Sequence, residues 1–284
     1  MDRSIPNGLS EQDMNCLKDY CNNAFHITNS SSEDQKDALF LWEWDKLISV
    51  AKKQGVAKAI NDFLIQDDQR VKFLAPELMT VEILSSPAGS IPIITAADNH
   101  DFENLVRFAV YRGKEVRNLD KIGAMFAYGK TKRFIIISEK PYSGITASDM
   151  NLTNEEWKRI SRLIRCGHEC THYYTKRFWG SARNNLHDEL IADFIGILDA
   201  FGFYRAKWFQ LFLGIGTKKD KATKDGRLCV YVQDLTEKVA AEVERIAIEA
   251  SEYLEKWSVT NQCISMTNAE RISFLCSKGI LEWQ

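Results

Sequence analysis

Residues Thr153 to Arg177 read TNEEWKRISRLIRCGHECTHYYTKR, and this stretch decides the fold. Thr153 with Glu156 three positions later is a capping-box pattern, the start of a helix. Trp157, Ile160, Leu163 and Ile164 then recur at helical spacing and give that helix a core-facing side. The spacing predicts one long helix over 154–177. Inside it, His168-Glu169-Cys170-Thr171-His172 sets two imidazoles four residues apart, one turn above each other on one face. Two imidazoles so placed can hold one metal ion, and Glu169 lies beside them. Only five histidines occur in 284 residues, so chance is a poor explanation of the pair. Cys166 and Cys170 each stand two positions before a histidine, about 200° around the helix, and read as core thiols. Gly167 fits a close approach by a second helix.

That second helix follows. Asp188-Glu189-Leu190-Ile191-Ala192-Asp193 opens a helical pattern over 187–202. Glu189 comes seventeen positions after His172, room for a turn and a return helix. It would complete a His2Glu set, which leaves one position open on a zinc ion. Asp193 lies one helical turn beyond Glu189 and projects the same way. A carboxylate there can accept a hydrogen bond from a ligand histidine and fix its tautomer.

HECTHYYT followed by DELIADFIG resembles the thermolysin-type zinc peptidases, the gluzincins, which carry H-E-x-T-H-x-x-T and later N-E-x-I-x-D with a glycine shortly after. The matching positions are His168, Glu169, Thr171, His172, Thr175, Glu189, Ile191, Asp193 and Gly196. The likeness covers roughly 154–200, about a sixth of the chain, and is specific for the metal site rather than the substrate. It implies a zincin-like α+β fold in which His168, His172 and Glu189 bind zinc. It implies Glu169 as the general base for the water that zinc activates, with Asp193 supporting one ligand histidine. Asp188 stands where the family has asparagine and would orient the other. The strand 133–138 resembles the edge strand that pairs with an extended peptide. The chain departs from the family in two places. Arg183 stands where a tyrosine helps to stabilise the oxyanion, and no histidine follows His187. Oxyanion stabilisation then falls to Arg183, Tyr204, Tyr231 or the zinc itself. The expected activity is hydrolysis of peptide bonds. The alternatives are a zinc-binding regulatory protein without turnover and a zinc hydrolase of a non-peptide amide.

Outward from this core the pattern is helices, then strands, then helices. Short helices are expected over 9–24 and over 36–66 with a break near Gly55, after a polar break at Ser30 to Asp34. Met79 to Leu84 and Ile91 to Thr95 read as strands joined by a turn through Gly89. Ile122 to Tyr128 and Arg133 to Ser138 read as a hairpin across Gly129 to Lys132. Phe102 to Tyr111 reads as helix. Beyond 203 the chain is helical over 204–214, 235–258 and 267–282. Val239, Val243, Ile246, Ala250, Tyr253 and Trp257 mark one apolar face. The order predicts α+β with a small antiparallel or mixed sheet. The expected organisation is a helical accessory layer over 1–75 that could bind a protein partner, a catalytic core over 76–202, and a helical wall over 203–284.

Composition narrows the function classes. Lys+Arg is 37 and Asp+Glu 39, a formal net charge of −2, so no broad basic field invites nucleic acid. The charged run Lys218 to Arg227 lacks interleaved aromatics and reads as a solvated loop. No glycine-rich phosphate loop follows a strand. The start of the sequence lacks a signal-peptide pattern, and no apolar stretch is long enough for a membrane span. Seven scattered cysteines without a CxxC pair fit reduced thiols and a cytoplasmic setting. His187 reads as a helix-start surface residue or a cleft donor, and Trp42 and Trp44 as packing residues.

Overall fold

The computed structural model describes residues 8–26, 34–129, 133–183, 185–216 and 226–283, with side chains in the second helix from Phe40 onward. Residues 30–33, 130–132 and 218–225, on which a polar break, a hairpin turn and a charged loop were expected, lie outside the described residues.

Four strands form one mixed sheet: β1 (Met79–Ser86), β2 (Gly89–Ala96), β3 (Ala124–Tyr128) and β4 (Arg133–Ser138), in the order β1-β2-β4-β3. β1 and β2 pair antiparallel through a tight turn at Gly89, whose φ of 96° suits glycine. β3 and β4 also pair antiparallel, whereas β2 and β4 run parallel, with Ile93 opposite Ile135. The sheet is therefore mixed, and β4 is internal. The expectation that 133–138 is an edge strand is overturned, because both its sides are already hydrogen-bonded. β3 is bonded on one side only among the described residues.

Both faces of the sheet are covered, which explains its near-continuous apolar strands. Alternation sorts the side chains. Ile91, Ile93, Ile135 and Ile137 face Cys170 and Tyr173 of α5 (Asn154–Phe178). Ile94, Ala96, Phe134 and Ile136 face the opposite way, into a core with α2 (Asp34–Gln54), α3 (Val56–Phe63) and α4 (Asn99–Asn104). Gly55, at φ 92°, separates α2 from α3 where the break was expected. α4 runs on into a π-helical turn over Leu105–Val110. Of the two tryptophans, Trp44 is buried and Trp42 is exposed with Lys46 over its ring.

α5 begins with the expected capping box: Thr153 Oγ1 accepts from Glu156 N, and Thr153 N donates to Glu156 Oε2 at 2.9 Å. It packs along α6 (Leu186–Phe201), and two glycines set the distance between them. A Cβ on Gly167 would stand 2.8 Å from Gly196 Cα, and one on Gly196 would stand 2.5 Å from Ile164 O. The remaining helices are α7 (Ala206–Leu213), α8 (Arg227–Val232), α9 (Glu237–Ser258), α10 (Asn261–Ser265) and α11 (Asn268–Cys276). The apolar face of α9 is buried as core. The single helix expected over 267–282 is two pieces, α11 and a short turn over Ile280–Glu282.

The first 75 residues do not stay together. α1 (Glu11–Cys21) packs on α9, and Asn23 Nδ2 donates to Cys276 O at 2.9 Å, while α2 and α3 cover the sheet. Among the described residues no helix is long and apolar enough to cross a membrane.

Candidate metal centre

The close α5–α6 crossing brings Glu189 and Asp193 onto the two histidines. Nε2 of His168 and Nε2 of His172 face each other at 3.0 Å. Glu189 Oε2 lies 3.5 Å from His168 Nε2, and Oε1 lies 3.6 Å from His172 Nε2. A tetrahedral ion with bonds of about 2.0–2.1 Å needs ligand atoms about 3.3 Å apart, so these spacings fit such an ion. His168, His172, Glu169 and Glu189 are each less than a tenth exposed.

The other ring nitrogens explain why Nε2 is the free one. His168 Nδ1 lies 2.7 Å from Asp193 Oδ1. His172 Nδ1 lies 3.6 Å from Asp188 Oδ1, and these two buried atoms, otherwise without partners, face each other. Carboxylates at Nδ1 draw the proton there and leave both Nε2 lone pairs pointing inward. Two lone pairs and a carboxylate converging out of water repel one another unless a cation joins them. Burial works against a second proton on His172, but Asp188, Glu189 and Glu169 outweigh it and push its pKa up to about 10. The pocket thus favours positive charge. Burial pushes the Glu169 carboxyl up, against the pull of His168 and His172, which suits a group that takes and returns a proton.

A second arc of residues encloses the carboxylates. Tyr142, in a turn before α5, donates to Asp193 Oδ1, and its hydroxyl lies 3.2 Å from His168 Nδ1. Arg227, the first residue of α8, sends Nη2 to Glu189 Oε2 at 2.9 Å and Nη1 to Asp193 Oδ2 at 3.0 Å. Burial opposes ionisation of Asp193, yet Arg227 and His168 hold its carboxyl far below the usual range. Tyr231, one turn beyond Arg227, donates to Glu189 Oε2 at 2.9 Å. Arg165 is also buried, one turn before Glu169, with Nη2 donating to Pro141 O at 3.1 Å. Burial lowers its pKa to about 10.

Of the residues singled out from sequence, His168, His172, Glu189, Asp193 and Asp188 come together, with Glu169 in the same charge cluster. Tyr231 joins them at Glu189. Arg183 stands apart: its side chain is exposed and its backbone N–H donates to Asp188 Oδ2. Tyr204 is buried against Phe194. His187 belongs neither to the surface nor to the cleft. It is wedged between Phe25 and Trp283 at ring distances of 5.1 and 5.0 Å, and burial lowers its pKa to about 4. Arg227, expected in a solvated loop, is instead central to the site. Tyr142 and Arg227 were missed because the carboxylates they bind lie on α6, far from both in sequence. A second candidate group, Asp98, His100 and Asp101, is weaker. Asp101 already spends both oxygens on the amides of Leu74 and Ala75.

Fold and site together define an α+β protein with a His2Glu cluster clamped between two helices. The chain belongs to a family of unknown function, DUF7005, whose model matches residues 130–282. That span holds every residue of the cluster and leaves out β1 to β3 and the helices before them. No curated protein and no solved structure matches the chain.

Proposed function

We propose that the chain is a zinc-dependent metallopeptidase, hydrolysing peptide bonds with Glu169 as general base. One observation carries the reading: two Nε2 atoms and the Glu189 carboxylate converge within 3.0–3.6 Å, with each histidine backed by its own aspartate. Imidazole and carboxylate in this ratio suit zinc. When bound, the ion would polarise a carbonyl and acidify a water. His168, His172 and Glu189 would hold it. Asp193 and Asp188 keep Nδ1 of each histidine protonated and the rings in place. Glu169, with a carboxyl raised by burial, takes a proton at its carboxylate oxygen and passes it to the leaving amine nitrogen.

β3 is the strand that could receive an extended peptide. It starts just after Gly123, where the absence of a Cβ admits Arg165: a Cβ there would stand 2.9 Å from Nη2. Arg165 is one turn from Glu169, so the outer edge of the sheet, bonded to no further strand among the described residues, begins near the general base. The full pairing of β4 favours a second reading, a hydrolase of a smaller, non-peptide amide that needs no strand addition. Nucleic acid and membrane have no place in either reading.

Elemental analysis of the purified chain should find stoichiometric zinc, and a peptide library should be cleaved only without chelator. Glu169→Gln should keep the zinc and lose turnover by about 10³-fold. Undiminished cleavage by that variant would sink the assignment. Zinc without cleavage of peptides, but with hydrolysis of small amides, would select the second reading. Zinc with neither activity would leave a zinc-binding regulatory protein.

A further inference from the structure

The half-buried Arg227 has an acceptor for every donor on its guanidinium. Nε donates to Tyr231 Oη at 2.9 Å. Nη1 reaches Tyr142 Oη at 3.2 Å, Ser143 Oγ at 3.1 Å and Asp193 Oδ2 at 3.0 Å. Nη2 reaches Glu189 Oε2 at 2.9 Å and Asp193 Oδ1 at 3.4 Å. The backbone behind it is fixed too, since a Cβ on Gly226 would stand 2.4 Å from Leu213 O at the end of α7. A guanidinium this saturated has no hand free for a substrate. Its work is done on the two carboxylates.

The two oxygens of Glu189 are treated differently. Each oxygen lies beside one imidazole, Oε2 at 3.5 Å from His168 Nε2 and Oε1 at 3.6 Å from His172 Nε2, but Oε2 alone accepts from both Arg227 and Tyr231, at 2.9 Å each. We infer that Arg227, assisted by Tyr231, is a positioning residue that restricts Glu189 to one oxygen as a metal ligand and so keeps a coordination position open. The inference rests on the metal reading above. A carboxylate free to turn can chelate through both oxygens and fill the place a reacting group needs. Two donors on Oε2 oppose that, and the fork of the arginine spans Glu189 and Asp193 together, a fixed geometry that a lysine ammonium does not impose. The same guanidinium would stand near an ion held there, so its charge would weaken binding while its geometry shapes the site. Arg227 therefore trades affinity for an open position.

The test is titration with Co²⁺, whose visible absorption is strong at four-coordinate sites and weak at higher coordination, combined with zinc competition for affinity. The wild-type chain should give the strong four-coordinate spectrum. Arg227→Met should bind at least as tightly as wild type, with visible absorption down several-fold as Glu189 closes onto the ion through both oxygens. Tyr231→Phe removes one of the two donors and should move the spectrum the same way by less. It also carries the test if Arg227→Met does not fold. A merely structural role would lower the melting temperature and the affinity and leave the spectrum of the bound fraction unchanged. Wild-type spectra in the folded variants overturn this inference alone. A wild-type chain that takes up neither Co²⁺ nor zinc overturns the metal reading, and this inference with it.

Discussion

The two faces of the sheet are covered by halves of opposite character. On the α2–α3 side the core is almost pure hydrocarbon: Leu47, Ile60, Phe102, Leu105 and Ile136 are all essentially inaccessible. The polar groups buried there hold backbone in place. Asn61 Oδ1 accepts from Val71 N at 2.8 Å, and Asp101 accepts from Leu74 and Ala75. On the α5–α6 side the chain buries Glu169, Asp188, Glu189 and Asp193 around two histidines, with the half-buried Arg227 paired to two of the carboxylates. The first half gains stability from the apolar groups it buries. The second buries charges that cost stability unless they are paired or hold an ion.

That contrast predicts different responses to substitution. The largest loss of stability belongs to the hydrocarbon half. Leu47→Ala should cost about 4 kcal/mol in urea unfolding, with metal content unchanged in the folded protein. Loss of metal there would show that the halves are not separable. Next comes acid. His187 has its pKa lowered to about 4 by burial, against 6.5 for the free side chain. Between those values the unfolded chain binds a proton that the folded chain refuses. The contribution of His187 is therefore full above about pH 6.5 and is lost as pH drops towards 4, by about 3 kcal/mol in all. His187→Phe should lose this pH dependence, measured as the difference in unfolding midpoint between pH 7 and pH 4.5. A slope equal to wild type would refute the burial argument.

Gly196→Ala sharpens the comparison from the other side. Its Cβ would meet Ile164 O, so α6 must move off α5 at a cost of about 2 kcal/mol. The larger consequence is on the cluster: zinc affinity, read by competition with a chelating dye, should fall more than tenfold. Unchanged affinity would mean that the glycine contact does not set the ligand spacing. The smallest effect is Thr153→Ala, which removes the capping box of α5 at about 1 kcal/mol without touching the site, as thermal unfolding should show.

What was legible in the sequence follows the same division between local and distant causes. The capping box, the histidine pair, the return helix with Glu189 and Asp193, and the break at Gly55 all rest on neighbours within a few residues. Each was readable. Strand order is not local. Arg133 to Ser138 reads alike as an edge or an internal strand, and only the parallel pairing with β2 decides it. Arg227 was unreadable for the same reason. Its charge is neutralised by Asp193 and Glu189 from α6, and within its own segment it resembles any solvated arginine. Tyr142 has its partners on α5, α6 and α8.

The seat of α1 has a consequence for the order of assembly. The α5–α6 pair forms from neighbours in sequence and can close as soon as both helices leave the ribosome. α1 cannot. Tyr20 accepts from Leu186 N at the start of α6, but α1 also packs on α9 and the segment after it is tied to Cys276, so its full seat waits for segments far along the described chain. Docking it late would link the earliest and latest parts of the described chain in a single closing step.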